Sequence, residues 1–134
     1  MAIIAGQTSA GTSRTVLVND AGKLYIVDSA VTTDIEYQAV TTVPTNTITT
    51  VLNFTNAGAA LNCNTIFGSG TANAEWLVYI DDVLKIVQRT TAANIKLQIP
   101  MEGFILAGSA NIKVKIIHYR PATQDFECSL SYER

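Results

Sequence analysis

Charged residues are scarce in this sequence. They make up 15% of its 134 residues, with a net charge of −2, whereas ordinary soluble domains contain roughly 25%. No basic surface is therefore expected that could neutralise a phosphate backbone, which argues against nucleic-acid binding. The surface is instead covered mainly by Thr, Asn, Ser and Ala, a composition common among the proteins of particles and fibres.

Cysteine is also scarce, because Cys63 and Cys128 are the only two. Two cysteines are too few for a disulfide framework, and neither has a second Cys or His at the spacing of a metal site. We expect two reduced, buried thiols, since Cys packs as a small apolar residue by default. A single disulfide between the sheets of a sandwich is the alternative.

Long apolar runs are missing. The N-terminus has neither the basic segment nor the apolar segment of a signal peptide, and nothing approaches the roughly 20 apolar residues of a membrane span. The sequence predicts a protein that is made in a cytoplasm, stays soluble and does not enter a membrane. At this length, one domain with a substantial core is expected, with room for an arm.

Groups suited to catalysis are few. His118 is the only histidine, and the alternation around it predicts a hydrogen-bonded side chain at the end of a core strand rather than a catalytic base. Asp81 and Asp82 are adjacent carboxylates, which suggests acid/base work or calcium, but a hairpin tip also explains them. Phosphate loops, dinucleotide fingerprints and zinc patterns are absent. We therefore expect no enzyme, no metal and no cofactor.

Alternation with a period of two dominates from Thr47 onward. Trp76, Val78 and Ile80 share one strand face, and Asp81-Asp82 joins this strand to residues 83–89 as a tight hairpin. A strand ending at Pro100 and a separate short piece at residues 104–107 are predicted next. Ile48, Thr50, Leu52 and Phe54 are expected on one face of the first strand. No apolar stripe of helical period lasts three turns. About eight strands follow from Ile48, which predicts an all-β, jelly-roll-like antiparallel β-sandwich.

The N-terminal part has a different pattern. Residues 1–14 are small and polar and are predicted to form an extended arm. Residues 15–18 and 24–27 are β-branched runs joined by a short loop containing Gly22, which predicts a hairpin. Residues 35–40 could add a strand, and Pro44 marks a link. We therefore predict an anchoring arm and hairpin over residues 1–42 and a sandwich over 43–134.

Several motifs resemble those of tailed-bacteriophage virion structural proteins. Residues 72–90 resemble a recurring module in which a strand of the form aromatic-x-x-Tyr-Ile-turn-Val-x-Lys leads to an Arg-Thr pair. A later strand of the form Lys-Val-x-x-x-His-Tyr corresponds to residues 113–119, and the resemblance covers about residues 45–134. The module usually has an Asn-Gly turn where this chain has Asp81-Asp82. The hairpin at residues 16–25 resembles the Val-x-Val-Asp-x-x-Gly-x-Leu segment at the front of many phage virion proteins.

The resemblance implies a virion part. The chain would be a capsid decoration (cement) protein or a head-fibre, tail or baseplate adhesin, commonly a homotrimer, made in the bacterial host cytoplasm and located on the capsid surface. Its size favours decoration, because a sandwich and an arm leave nothing for a fibre shaft or a sugar-binding tip. The implied partners are the major capsid protein and further copies of the chain. The candidate contact residues are Ile3, Ile4, Val16, Val18, Leu24, Tyr25, Arg89 and Arg120.

Three alternatives stay open at this point. Arg89 and Arg120 could bind carboxylates of a partner or connect strand ends within the domain. The chain could instead be a receptor-binding module with exposed aromatic rings at its loops, although its tyrosines fall mostly within strands. A cellular β-sandwich enzyme that uses His118 is the third possibility.

Overall fold

The computed structural model describes residues 33–134 in full and, before them, the backbone of residues 2–7, 13–18 and 24–27. The chain divides into two compact units, Met1–Thr32 and Thr33–Arg134. Every regular element in the described part of the chain is a β-strand. The all-β prediction is confirmed.

The first unit is a three-stranded antiparallel sheet. It contains β1 (Ala2–Gln7), β2 (Ser13–Val18) and β3 (Leu24–Val27) in the order β1-β2-β3. The predicted hairpin is confirmed as the β2–β3 pair. The predicted arm is wrong at β1, which pairs with β2 from Ala2 opposite Val18 to Gln7 opposite Ser13. A strand forms here because pairing satisfies the backbone N–H and C=O groups. The low hydrophobicity of the side chains gives no sign of this pairing.

The second unit has eight strands. They are β4 (Thr33–Val43), β5 (Thr49–Thr55), β6 (Leu61–Ser69), β7 (Ala74–Ile80), β8 (Val83–Arg89), β9 (Lys96–Leu106), β10 (Asn111–His118) and β11 (Gln124–Glu133).

These strands form two four-stranded antiparallel sheets that pack through their inner faces. The β4 sheet has the order β4-β11-β6-β9, and the β5 sheet has the order β5-β10-β7-β8. Counted from one to eight within this unit, the orders are 1-8-3-6 and 2-7-4-5. Two interlocking Greek keys with this order are a jelly roll. The predicted jelly-roll sandwich is confirmed by its strand order.

The predicted domain boundary at residues 42/43 differs from the observed one at 32/33. Strand β4 lies at the edge of the β4 sheet and pairs with β11 from Thr33 opposite Glu133 to Val43 opposite Gln124. Gln38 also joins β4 to β5, because its side-chain amide donates to the Asn53 carbonyl (2.8 Å) and accepts from the Asn53 N–H (2.9 Å). Residues 33–42 therefore belong to the sandwich.

Pro100 does not end a strand. Strand β9 continues through it to Leu106, with Pro100 opposite Thr65 of β6. A proline is tolerated here because β9 is an edge strand, so one side of its backbone has no ladder to maintain. The predicted short piece at residues 104–107 is mainly the end of this same strand. Seven strands therefore follow Ile48 where about eight were expected, and the sandwich reaches eight because β4 joins it.

A β-bulge changes the inner face of β5. Leu52 lies opposite Val114 and Thr50 opposite Lys115, so Val51 is an extra residue. Val51 and Leu52 are both buried, whereas Ile48 and Thr50 are exposed. The predicted face that joined Ile48, Thr50 and Leu52 is therefore wrong at its first two positions.

Candidate interaction surfaces

His118 is a buried structural residue at the end of β10. Its Nε2 lies 2.7 Å from the Val43 carbonyl oxygen, and its Nδ1 accepts the backbone N–H of Arg120 at 3.2 Å. The ring is fully buried and packs against Phe126 with 5.6 Å between ring centroids. Both ring nitrogens are engaged when Nε2 carries the proton. The prediction of a hydrogen-bonded histidine at the end of a core strand is confirmed.

Asp81 and Asp82 form the predicted tight turn between β7 and β8. Both have positive φ, 48° and 64°, as in a two-residue type I′ hairpin. Asp81 Oδ1 accepts the N–H of Asn111 at 2.9 Å, and Asp82 Oδ1 lies 2.8 Å from Lys113 Nζ. The hydrogen bond from Lys113 lowers the pKa of Asp82. Within the described part of the chain, no three His, Cys, Asp or Glu side chains group as they would around a metal ion.

The two cysteines are free and buried. In the register of β6 and β11, Cys63 lies opposite Tyr132, four residues along the strand from Cys128. At roughly 3.3 Å per residue, their Cα atoms are too far apart for a disulfide, which needs less than about 7 Å. The expected reduced thiols are confirmed. Burial raises the pKa of Cys63 to about 11 and that of Cys128 to about 12.

The two candidate arginines differ in their surroundings. Arg89 makes an ion pair with Glu75, its neighbour across the β7–β8 pair, while its side chain stays 62% exposed. The structure therefore shows the internal contact, and an exposed pair of this kind adds little stability. Arg120 is exposed, and its backbone N–H is the group that reaches His118.

The six candidate residues of the first unit lie on its three strands. Their side chains fall outside the described residues, so their assignment as contacts stays a prediction. By position they are Ile3 and Ile4 in β1, Val16 and Val18 in β2, and Leu24 and Tyr25 in β3.

The outer face of the β4 sheet carries a feature that sequence reasoning missed. Tyr37, Ser129 and Phe67 lie opposite one another on β4, β11 and β6. Tyr37 is 58% exposed and Phe67 is 46% exposed. The small serine between them leaves a shallow depression of about 250 Å³, which Glu127 and Lys96 also line. We call this feature the aromatic depression. The sequence does contain one sign of this depression. Phe67 is an aromatic residue at an outward-facing strand position, between the buried Ile66 and Gly68.

A second surface lies along β8. Among the described strands it pairs only with β7 and is therefore an edge of the β5 sheet. Val83, Leu84 and Val87 are each about half exposed there (54%, 46% and 54%). An edge strand also leaves a row of backbone N–H and C=O groups without ladder partners. We call these residues the β8 edge.

Known proteins show little similarity to this chain. No family model matches the chain, and no curated protein matches it. A structure of infectious bursal disease virus, Gt strain, is similar at a TM-score of 0.36 and 12% identity, over 96% of this chain and 41% of that one. No helix that could span a membrane occurs within the described residues.

Proposed function

We propose that this protein is a non-enzymatic structural protein of a bacteriophage virion, a capsid decoration protein that binds the assembled shell and stabilises it. The observation that carries the proposal is the exposed apolar surface of the jelly roll. Scattered apolar side chains are normal on any protein surface, but grouped ones mark contacts with other molecules. Here they group on the β8 edge, where Val83, Leu84 and Val87 are exposed.

The β8 edge is suited to a protein partner. Val83, Leu84 and Val87 supply apolar area, and the free side of the strand supplies hydrogen-bonding groups. A partner that covers the edge gains both kinds of contact. Lys85 and Arg89 lie on the same strand and are exposed, so they disfavour unspecific pairing with other strands.

The proposed assignment to a virion is based on the sequence motifs. The β7–β8 hairpin and β10 contain the segments that resemble tailed-phage virion proteins. The jelly roll agrees with this assignment, but the same architecture occurs in viral capsid proteins, lectins and cupins. A fold alone does not decide a function, so the motifs support the assignment to a virion and the apolar surface carries the proposed binding role.

The proposed mechanism is mass action. A protein that binds only the assembled shell stabilises it in proportion to the logarithm of its concentration relative to Kd. The major capsid protein would be the partner, and the three-stranded N-terminal unit would contribute contacts through Ile3, Ile4, Val16, Val18, Leu24 and Tyr25. A homotrimer would bind through three weak contacts at once, which raises the overall affinity.

The test is the number of copies per particle and the stability of the shell. Quantitative mass analysis of purified virions should find copies on the order of hundreds, and adding purified protein to particles that lack it should raise their melting temperature.

Val87→Asp places a charge on the β8 edge and is expected to weaken particle binding at least tenfold, or about 1.4 kcal/mol. Thr50→Asp, at an exposed position of the opposite edge strand β5, is the matched control. Absence from virions, or binding unaffected by Val87→Asp, would overturn the respective parts of the proposal.

The second candidate is a tail, baseplate or head-fibre module that binds a host receptor. The aromatic depression favours it, because exposed rings can stack on sugars. It predicts tens of copies per particle or fewer, so the same mass analysis separates the two functions. A hydrolase activity of the purified protein would contradict the non-enzymatic assignment.

A further inference from the structure

The aromatic depression has two aromatic walls and a small floor. Adjacent strands lie about 4.8 Å apart, and Tyr37 and Phe67 are separated by one strand, β11. Their backbones are therefore roughly 10 Å apart, with only the Ser129 side chain between them in that row.

Polar groups line one end of the depression. Glu127 of β11, Ser69 of β6 and Lys96 of β9 lie opposite one another in the next outward row. They offer a carboxylate that accepts hydrogen bonds, a hydroxyl that donates or accepts, and an ammonium group that donates. The opposite charges of Glu127 and Lys96 cancel, so the site favours a neutral ligand with many hydroxyl groups.

The Tyr37 wall is held in place by Glu127. The Tyr37 hydroxyl donates a hydrogen bond of 2.8 Å to Glu127 Oε2. This contact directs the ring over β11, toward the floor of the depression. A wall that is already positioned loses less side-chain freedom when a ligand binds.

We propose that the aromatic depression binds one neutral hexose unit of an oligosaccharide. The C–H groups of the sugar lie against Tyr37 and Phe67, because the negative face of an aromatic ring attracts polarised C–H groups. The sugar hydroxyls bond to Glu127, Ser129 and Lys96. This activity goes beyond capsid binding, which requires neither the aromatic walls nor the polar row.

The size of the depression argues for a sugar over a protein. Its volume of about 250 Å³ lies just below the 300 to 1,000 Å³ of ordinary small-molecule sites. A stable protein interface needs about 800 Å² on each partner, and the charged Glu127 and Lys96 interrupt the apolar area here. An open site of this kind binds weakly, with a Kd on the order of 1 mM, and many copies on one particle would compensate by avidity.

The test is an NMR titration of the full-length protein. The probes are neutral mono- to trisaccharides of glucose, galactose, mannose and N-acetylhexosamines, each at up to about 10 mM. At least one is expected to shift amide signals confined to Tyr37, Phe67, Ser69, Lys96, Glu127 and Ser129. Phe67→Ala should weaken that binding at least tenfold, and Glu127→Ala should weaken it as well. Tyr119→Ala removes another exposed ring, one that does not line the depression, and should leave the affinity unchanged.

Three outcomes would overturn the proposal. The first is that no saccharide shifts any amide signal, and the second is that the shifts persist in Phe67→Ala. The third is that the unmodified protein binds no saccharide while light scattering finds a smaller oligomer for Phe67→Ala. The last outcome would make this face a contact between copies of the chain. Particle binding is measured separately and does not depend on Phe67 in the proposed function, so the two proposals can fail independently. The melting temperature of Phe67→Ala checks that the variant is folded.

Discussion

The indole of Trp76 occupies the space that a side chain at position 68 would need. Trp76 lies on β7 of the β5 sheet and Gly68 on β6 of the β4 sheet, so they meet across the core. A Cβ atom at position 68 would lie 2.6 Å from Trp76 Cη2 and 2.7 Å from Cζ3, well inside van der Waals contact. The glycine therefore fixes how closely the two sheets approach around the largest side chain of the core.

Gly68→Ala is expected to destabilise the domain by about 1 to 3 kcal/mol, the usual cost of overpacking a core. Chemical denaturation followed by circular dichroism measures it. Asn62→Ala, at an exposed position of the same strand, should change stability by less than about 0.5 kcal/mol. Adding Trp76→Phe should reduce the cost of Gly68→Ala, because the smaller ring leaves room for the methyl group. Equal costs in both backgrounds would show that the two residues are not coupled.

His118→Ala is expected to destabilise the domain by about 3 kcal/mol. The substitution leaves the buried carbonyl of Val43 without its donor and opens a cavity beside Phe126. Thermal or urea unfolding followed by Trp76 fluorescence measures the loss, since Trp76 is the only tryptophan. Tyr119→Ala, the exposed neighbour, is the control. Two variants of equal stability would contradict the structural assignment of His118.

The cysteine thiols are expected to resist labelling in the native state at pH 8. Both are buried, and burial raises the pKa of Cys63 to about 11 and of Cys128 to about 12, so the reactive thiolate is rare. A thiol reagent should modify both cysteines promptly only in denaturant. Rapid labelling of the folded protein would contradict the burial of these side chains.

The same thiols should make the fold sensitive to alkali. In the unfolded chain each thiol loses its proton near the ordinary value of 9.0, whereas in the folded chain it keeps the proton to about 11 or 12. Their contribution to stability is therefore complete below about pH 9 and is lost as the pH rises through the folded values. Unfolding free energies at pH 8 to 11 should fall less steeply in a Cys63→Ala, Cys128→Ala double variant. If the unfolding free energies of the two proteins fell equally steeply with pH, the thiols would not be the cause of the alkali sensitivity.

Asp82→Gly is expected to stabilise the β7–β8 hairpin by about 0.5 to 1 kcal/mol. Asp82 has a φ of 64°, a backbone conformation that costs a non-glycine residue energy. The substitution also removes the contact with Lys113, but Asp82 is exposed and such a contact contributes little. Urea unfolding measures the difference, and Lys113→Ala isolates the contribution of the pair. A destabilised Asp82→Gly variant beside a neutral Lys113→Ala would contradict this interpretation of the turn.

The sequence by itself determined the class of fold and much of its local detail. Alternation with a period of two placed Trp76 and Val78 on the same face of a strand, the Asp81-Asp82 pair predicted the tight hairpin, and the position of His118 predicted a hydrogen-bonded ring at the end of a core strand. These features depend on residues close together along one strand or turn, so a local pattern is enough to specify them.

Only the tertiary structure decided which strands are edges and which side chains share an outer face. Strand β9 passes through Pro100 because it has a neighbour on one side only, and β4 joins the sandwich because β11 pairs with it. Tyr37, Ser129 and Phe67 come from distant parts of the chain and form one row through strand register alone. Register depends on long-range pairing and on bulges, which the alternation within a single strand does not encode.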